Sequence, residues 1–478
     1  MQVQNHKTKI VGTIGPASES PEMLERLIRA GLDIARLNFS HGDFGGHGKT
    51  IANVRTAAEK VGRSVAIFAD LPGPKMRLGT IRPEPIQLQA GDEFILTSED
   101  VVGDSRRCSM TFESLPKVVR GGDRLYLNDG LVQLQVERVA GNDVHCTVYV
   151  GGELRSRKGL NLPGISLGLR AFTDHDRKCM EYALKNGVDA VSQSFVESAE
   201  DIALVRSAAA ELGYKPFVIA KIERLEAVQR YDEILKAADG IMVARGDLGV
   251  EVPMEEIAVI QKRLIAEANA AGKPVITATQ MLESMISNRL PTRAECTDVA
   301  NAILDGTDCV MLSGECAMGK YPEESIAMLG KIAAATEPHR VRGARDHSSS
   351  WKPTTAAQAM AVVVEHALDT TPMTAVFVPT RSGDTARMIS RYKPPVWTVA
   401  MAEEERVCRA LKFSYGVEAV LVSDRTENWR EFALHWLRDQ QIKGNVAVLV
   451  AAASAKHPDA SHRIEFLRVG EAAAAAHS

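Results

Sequence analysis

Charged side chains recur in the 478-residue chain where short apolar runs end. One such run ends in Lys221 and Glu223, and the next is followed by Gly246 and Asp247. Two carboxylates from neighbouring strands are oxygen ligands of the kind that Mg²⁺ uses together with substrate oxygens. A lysine beside them can neutralise an anion, as sites for phosphoryl groups require. These residue types therefore favour a site for a divalent cation and a phosphorylated substrate.

Polar side chains also follow three other apolar runs. They are, in chain order, Arg36, Asn38, Ser40, His41, Asp70 and Thr279. Each one alone is weak evidence, because a single acid near a strand end is more often a helix cap or a surface charge. Taken together they favour one site, since the carboxyl ends of parallel barrel strands meet at one face.

Three glycine-containing segments could bind an anion. In RGDLG, residues 245–249, Gly246 and the start of the following helix could direct backbone N–H groups at an anion, or the glycines could only form a tight turn. GGHGKT, residues 45–50, lacks the full spacing of a phosphate loop and predicts a helix start. SGDTAR, residues 382–387, follows a strand and could hold a phosphate, although Asp384 would oppose one.

The fold follows from eight β-branched runs that alternate with amphipathic stretches, a pattern typical of βα units. The predicted strands are residues 9–14, 32–38, 64–70, 188–195, 217–222, 240–245, 274–279 and 308–313. The helix candidates between them begin and end at typical residues. In PEMLERLIRAG, for example, Pro21 suits the first turn of the helix and Gly31 its end. Eight such units predict a (β/α)8 TIM barrel.

Two segments depart from this pattern. After Asp70 the chain alternates with period two between Gly-rich turns, which predicts a small β-barrel domain inserted over the barrel mouth as a lid. After a polar linker at 333–353, strands and helices alternate again as in an open doubly wound α/β domain. The chain is thus predicted to be an α/β protein with three domains. They are a discontinuous catalytic barrel (1–70 and 171–340), an inserted lid (71–170) and a C-terminal α/β regulatory domain (341–478).

Composition narrows the setting. A formal net charge of −4 gives no bulk attraction to nucleic acid or to an anionic membrane, so neither is expected as a partner. Residues 1–10 are polar and basic with no long apolar stretch after them, which predicts a cytoplasmic protein. No two of the seven cysteines have C-x-x-C spacing, which disfavours a zinc or redox site.

Several motifs resemble those of pyruvate kinases in wording and order. They are GPASES, ARLNFSHG, LPGPKMRLG, GLNLPG, KIE, MVARGDLGVE, ATQMLESM, PTRAE, DVANAILDG and MLSGE. The resemblance runs from about Lys7 to about Pro338 and continues more loosely beyond. It implies transfer of a phosphoryl group from phosphoenolpyruvate to ADP, giving pyruvate and ATP, with Mg²⁺ or Mn²⁺ as cofactor. It also implies a homotetramer and regulation through the C-terminal domain.

The resemblance assigns roles to the polar residues. It implies Glu223 and Asp247 as the ligands of Mg²⁺, and Lys221 with Arg36 as the cations on the phosphoryl group. Thr279 would assist protonation of the enolate. The substrate-binding residues would be Arg36, Lys221, Gly246, Asp247 and Thr279. The nucleotide-binding residues would be Asn38, His41 and Arg77.

Lys75 is a departure from the family pattern. Members that require K⁺ have Glu at this position, whereas the family's K⁺ ligands Asn38, Ser40 and Asp70 are retained. An ammonium group can supply the charge of a bound monovalent cation, so K⁺ is predicted not to be required. The alternative is that Lys75 points to solvent and K⁺ still binds.

Other interpretations stay open at this point. Mg²⁺-dependent barrel lyases and aldolases also use carboxylates at strand ends, and a metabolite-sensing module could keep the fold without catalysis. Glu197 stands where many relatives have a basic residue near the nucleotide. The segment AAASAKHPDASHRIEF, residues 451–466, differs from that of relatives regulated by fructose bisphosphate. It favours another phosphorylated effector, such as a sugar monophosphate or a nucleotide, or none.

Overall fold

The computed structural model describes residues 2–165, 168–340, 353–423, 428–451 and 462–469. The strands, numbered along the chain, are β1 (Lys9–Thr13), β2 (Ile34–Asn38), β3 (Ala66–Leu71), β4 (Ile86–Leu88), β5 (Glu93–Thr97), β6 (Arg107–Ser109), β7 (Arg124–Leu127), β8 (Val132–Ala140), β9 (Asp143–Val150), β10 (Gly152–Leu154), β11 (Leu160–Asn161), β12 (Ala190–Gln193), β13 (Phe217–Ile222), β14 (Gly240–Ala244), β15 (Val275–Ala278), β16 (Cys309–Leu312), β17 (Ala375–Pro379), β18 (Trp397–Ala402), β19 (Val417–Leu421), β20 (Val446–Ala451) and β21 (Arg463–Arg468).

The helices surround these strands. They are α1 (Pro21–Ala30), α2 (Phe44–Val61), α3 (Leu115–Val118), α4 (Asp174–Lys185), α5 (Ala199–Glu211), α6 (Leu225–Gln229), α7 (Tyr231–Ala237), α8 (Arg245–Glu251), α9 (Ile257–Ala270), α10 (Arg293–Asp305), α11 (Gly314–Ala317), α12 (Pro322–Thr336), α13 (Ala356–Thr370), α14 (Asp384–Ser390), α15 (Glu405–Leu411) and α16 (Trp429–Asp439). Short 3₁₀ turns lie at Met254–Glu256, Glu283–Ile286 and Glu337–His339.

Eight strands close into a parallel barrel in the order β1-β16-β15-β14-β13-β12-β3-β2, which confirms the predicted TIM barrel. The barrel closes where the first strand pairs with the last, with Lys9 opposite Cys309. Most predicted strands were one or two residues too long at their ends. The carboxyl ends of all eight strands consequently face one mouth, where the predicted polar residues meet.

Local sequence signals set the bounds of α1. The Ser20 side chain accepts a hydrogen bond from the Met23 N–H at 3.2 Å, and Pro21 occupies the first turn, where its missing N–H is not needed. Gly31 ends the helix with a φ of 125°, which a residue with a side chain rarely adopts. Leu24 and Leu27 are buried between this helix and the barrel.

The inserted segment forms a separate layer of β structure over the barrel, hereafter the lid. A six-stranded sheet in the order β11-β7-β8-β9-β5-β6 lies beside a two-stranded ribbon of β10 and β4. Apolar side chains such as Phe94, Leu125 and Leu134 alternate inward and form a core of their own. The lid therefore folds around its own core and is joined to the barrel by two connections, one after β3 and one before α4.

The C-terminal domain is an α/β sheet in the order β19-β18-β17-β20-β21. Its first four strands are parallel as predicted, whereas the edge strand β21 is antiparallel to β20 and was not predicted. The predicted linker at 333–353 was too long at its start. Residues 333–336 complete α12, Glu337–His339 form a 3₁₀ turn, and residues 341–352 lie outside the described residues. The exact domain boundaries stay predictions.

The floor of the barrel is closed by the C-terminal domain. Phe413 is 1% exposed and belongs to the same buried cluster as the inward-facing barrel residues. Its ring stacks on Phe217 with centroids 5.1 Å apart and meets Phe68 edge-on at 6.1 Å. Close by, Lys393 forms a buried ion pair of 2.6 Å with Asp308 of the barrel. The two domains therefore share one apolar core.

Two further observations bear on the setting. None of the helices in the described ranges combines the length and the apolar character that a membrane crossing needs. The cysteines are buried or half-buried thiols, and burial raises the pKa of several of them, Cys316 to about 12. Their placement agrees with a structural role in the core.

We expect Phe413→Ala to lower the free energy of unfolding by about 3 to 5 kcal/mol, because it leaves a cavity between Phe68 and Phe217. Urea unfolding followed by far-ultraviolet circular dichroism measures the change. Val363→Ala on α13, at a side chain 54% exposed, is the matched control and should stay within about 0.5 kcal/mol. Equal effects of the two substitutions would contradict the shared core.

Candidate active site

Asp70 at the end of β3 binds two cations from other strands. Arg36 on β2 donates from Nη2 and Nε to the Asp70 Oδ2 atom at 2.6 and 2.9 Å. Lys221 on β13 places its Nζ atom 3.3 Å from the Asp70 Oδ1 atom. Ser192 donates to the same oxygen at 2.6 Å. A single buried carboxylate thus fixes both predicted phosphoryl-binding cations at the barrel mouth.

The charges of this cluster support one another. Burial alone would raise the pKa of Asp70, but the adjacent Lys221 and Arg36 outweigh it and lower that pKa to about 2. Burial would likewise lower the pKa of Lys221, yet Asp70 and Glu223 raise it above the usual value. Both groups are therefore charged at neutral pH.

Lys221 and Glu223 are two residues apart and meet on one side of the strand end. The Lys221 Nζ atom lies 2.7 Å from the Glu223 Oε1 atom and donates to the Ser194 Oγ atom at 2.7 Å. The other Glu223 oxygen accepts the backbone N–H of Phe195 at 2.8 Å. We call Arg36, Asp70, Lys221 and Glu223 the central charge cluster.

Asp247 borders this cluster from the first turn of α8. Burial and the charge of Glu223 raise its pKa to about 7, against the opposing effect of Lys221. In the ranges that the structure describes, no three His, Cys, Asp or Glu side chains are grouped as a metal site. The protein can thus offer two carboxylates, Glu223 and Asp247, and substrate oxygens and water would complete the shell. This donor set fits Mg²⁺ or Mn²⁺.

Thr279 closes the other side of the mouth in a strained conformation. Its φ is 70° and that of Gln280 is 54°, and positive φ is rare for a β-branched residue. The Gly246 N–H donates to the Thr279 Oγ1 atom at 2.6 Å, and this hydroxyl donates to the Ala278 carbonyl at 2.6 Å. The helix after β14 begins at Arg245, so Gly246 and Asp247 lie within its first turn rather than before it.

The predicted nucleotide residues lie at the edge of the mouth. Asn38 ends β2, and its Oδ1 atom accepts the Ser40 N–H at 3.1 Å. Burial and the charges of Lys75, Arg77 and Arg36 lower the pKa of His41, which favours a neutral imidazole among cations. The Arg77 guanidinium donates to the carbonyl of Arg157 in the lid at 3.2 Å.

Lys75 is half-buried in the first connection to the lid. Its pKa is lowered to about 8, by burial first and then by the cations Arg77 and Lys221, against the opposing effects of Asp70 and Asp247. All four of these charged groups belong to residues around the mouth of the barrel. The Lys75 ammonium therefore lies within the field of the central charge cluster.

A second buried ion network was missed by the sequence reasoning. Arg224 is 2% exposed and lies 3.2 Å from Glu197, 3.3 Å from Glu226 and 3.8 Å from Glu251. Glu197 is thus within ion-pair distance of this arginine. Burial and the neighbouring acids raise the pKa of Glu251 to about 7. The four residues are spread over more than fifty positions, so no spacing pattern could have joined them.

The hydroxyl groups that surround the charges were missed as well. They belong to Thr13 at the end of β1, to Ser192 one residue before the end of β12 and to Ser194 directly after that strand. The Arg36 Nη1 atom donates to the Thr13 Oγ1 atom at 2.9 Å. Their only signal in the sequence is the position after an apolar run, which many structural serines and threonines share.

Comparison with known proteins places the chain in a family. The family models described as "Pyruvate kinase, barrel domain" and "Pyruvate kinase, alpha/beta domain" match residues 5–326 and 358–465. A pyruvate kinase of Thermococcus litoralis is 50% identical over 87% of this chain and 89% of its own length. One of Geobacillus stearothermophilus is 45% identical over 86% of this chain and 71% of its own length.

A solved structure agrees with these sequence matches. The crystal structure of a pyruvate kinase from Cryptosporidium parvum superposes with a TM-score of 0.88 at 37% identity, covering 97% of this chain and 96% of that one. The barrel, the inserted β layer and the C-terminal α/β domain agree with the architecture that the motifs implied. The chain belongs to the pyruvate kinase family of phosphotransferases.

Proposed function

We propose that this protein transfers the phosphoryl group of phosphoenolpyruvate to ADP, giving pyruvate and ATP, with Mg²⁺ or Mn²⁺ as cofactor. The observation that carries the proposal is the central charge cluster, in which a protonated Lys221 lies between two carboxylates and beside Arg36. Phosphoryl transfer requires little covalent chemistry from a protein, so positioning and charge neutralisation carry the catalysis.

The cations act on the group in transfer. As the bond between the phosphorus and the enol oxygen breaks and a bond to the ADP terminal phosphate forms, charge spreads over the phosphoryl oxygens. Lys221 and Arg36 stabilise that charge, and Asp70 keeps both side chains in place. Bound by Glu223 and Asp247, a divalent cation would supply further positive charge to the same oxygens.

The other side of the mouth would bind the substrate carboxylate. In this proposal the N–H groups of Gly246 and Asp247 and the Thr279 hydroxyl donate to that carboxylate, and Thr279 assists protonation of the enolate to pyruvate. The Gly246 N–H and the Thr279 hydroxyl would exchange their present bonds, to the Thr279 Oγ1 atom and the Ala278 carbonyl, for the substrate. The strained backbone at Thr279 supports it, because such strain concentrates at functional sites. The lid would exclude water that could otherwise take the phosphoryl group.

Asn38, His41 and Arg77 would contact the nucleotide. The contact of Arg77 with the lid carbonyl of Arg157 supports this, because it places the guanidinium at the junction of barrel and lid. A homotetramer, a phosphorylated effector acting through the C-terminal domain and a cytoplasmic location remain proposals drawn from the family and the composition. Most of the divergent segment 451–466 lies outside the described residues.

We also propose that K⁺ is not required, because Lys75 supplies the charge of a monovalent cation. Its placement within the field of Asp70, Asp247 and Lys221 supports this role. Asn38, Ser40 and Asp70 are present as in relatives that bind K⁺. Asp70, however, already accepts from Arg36 and Ser192 and lies beside Lys221, so it is less free to bind a further cation.

Lys221→Met should lower kcat on the order of 10³-fold, since it removes the cation nearest to the phosphoryl group. ATP formation from phosphoenolpyruvate and ADP is the measurement, and it also separates a kinase from a lyase, an aldolase or an inactive sensor. Lys185→Met, at an exposed surface ion pair with Glu181, should leave kcat unchanged.

Loss of a buried cation can also destabilise the fold, so circular dichroism and the charge-conserving Lys221→Arg accompany this test. An unchanged kcat in a folded Lys221→Met would refute the catalytic role. Absence of ATP formation by the unmodified protein would refute the proposed function itself.

Turnover at matched ionic strength should be nearly equal in potassium-free and potassium-rich buffer. Lys75→Glu removes the internal cation and restores the acid found in K⁺-requiring relatives, so this variant should gain activation by K⁺. Strong activation of the unmodified protein by K⁺, or none in the variant, would contradict the role of Lys75.

The pH dependence gives a separate test. Lys75 has a pKa of about 8, so its ammonium is charged below that pH and neutral above it. The ratio of the rate without K⁺ to the rate with K⁺ should therefore fall as pH rises through about 8. Lys75→Arg keeps its charge and should abolish the fall. A ratio that stays constant to about pH 9 in the unmodified protein would speak against the proposal.

A further inference from the structure

Two consecutive residues after β12 hold Lys221 on β13 and Glu223 directly after that strand. Ser194 is 4% exposed, and its Oγ atom accepts from the Lys221 Nζ atom at 2.7 Å. Phe195 donates its backbone N–H to the Glu223 Oε2 atom at 2.8 Å. We call these two residues the 194–195 turn. The turn thus gives Lys221 and Glu223 one hydrogen-bond partner each, in addition to the ion pair between them.

The backbone of this turn is unusual. Phe195 has a φ of 58°, in the left-handed region that a bulky side chain rarely adopts. In this conformation its N–H faces the end of β13 and meets Glu223. A conformation of this kind persists only where the surrounding structure fixes it, and it is concentrated at functional sites.

The opposite side of the turn is packed against the first connection to the lid. Gly73 has a φ of 66°, and a Cβ atom at this position would lie 2.8 Å from the Phe195 Cδ2 atom and 3.3 Å from the Ser194 Cβ atom. The Gly73 N–H donates to the Oδ1 atom of the buried Asp176 at 2.9 Å. The lid connection is thereby fixed against the residues that hold the charges.

We propose that Ser194 and the Phe195 amide are the positioning groups of Lys221 and Glu223, and that Gly73 links their placement to the lid. The proposal rests on the function proposed above. Lys221 also bonds to Glu223, and a divalent cation held by Glu223 would weaken that contact. Ser194 then keeps the ammonium in place, and the Phe195 amide orients the carboxylate.

Ser194→Ala should lower kcat about 10- to 100-fold, the range seen when a partner that orients a functional group is removed, with KM for phosphoenolpyruvate changed much less. Ser194→Thr retains the hydroxyl and should recover most of the rate. Ser325→Ala on α12 is the matched control, because it also removes a buried hydroxyl, one that donates to the Tyr321 carbonyl at 2.8 Å. It should leave kcat unchanged.

The link to the lid is tested by a double-mutant cycle. Gly73→Ala places a methyl group against the Phe195 ring, and Phe195→Ala removes that ring. The combined loss in kcat should be smaller than the product of the two single losses. Hydrogen exchange at the Phe195 amide, a readout independent of activity, should be slow in the unmodified protein and faster in Gly73→Ala and in Glu223→Ala.

The outcomes separate the two proposals. ATP formation by the unmodified protein with an unchanged kcat in Ser194→Ala, or equal losses in Ser194→Ala and Ser194→Thr, would overturn the positioning role alone. Independent effects of Gly73→Ala and Phe195→Ala, or fast exchange at the Phe195 amide of the unmodified protein, would overturn the link to the lid. No ATP formation by the unmodified protein would overturn the proposed function and this inference with it.

Discussion

The site depends on the buried carboxylate of Asp70, which binds cations from two other barrel strands. Two cations brought close together in a low dielectric repel each other, and each loses its hydration. Asp70 offsets both costs because it lies between Arg36 and Lys221 and is itself kept ionised by them. Glu223 balances the second charge of the pair. The two cations and the two carboxylates of the central charge cluster therefore balance each other.

Asp247 differs from Asp70 in its surroundings. Asp70 is in direct contact with two cations, whereas Asp247 is half-buried near Glu223, and desolvation and that charge raise its pKa despite the opposing effects of Lys221 and Lys75. A divalent cation held by Asp247 and Glu223 would stabilise the ionised form of the Asp247 carboxylate. The mouth of the barrel therefore places the cations Arg36 and Lys221 beside the carboxylates Glu223 and Asp247, an arrangement that suits the proposed phosphorylated substrate and its metal ion.

The sequence predicted the barrel and most of its mouth for a geometric reason. Residues such as Arg36, Asp70 and Lys221 follow apolar runs, and the ends of parallel strands must meet wherever a barrel closes. The hydroxyl of Ser194 and the positive φ of Phe195 were not predictable, since turn geometry depends on what packs around it. The antiparallel β21 was missed because an edge strand has a weak alternating pattern. The network of Arg224 joins residues too far apart for any local signal.

The aromatic floor of the barrel has a consequence for how the chain reaches its native state. Barrel strand β1 pairs with β16, which lies 300 residues later in the chain. Phe413, whose ring closes the barrel interior, follows about a hundred residues after β16. Contacts so distant in sequence require large loops to close before they contribute stability, which slows folding. During synthesis the barrel would emerge with Phe68 and Phe217 exposed until the C-terminal domain leaves the ribosome. The C-terminal domain thus acts as the last piece of the barrel's own core, and its arrival sets when the catalytic part can become fully native.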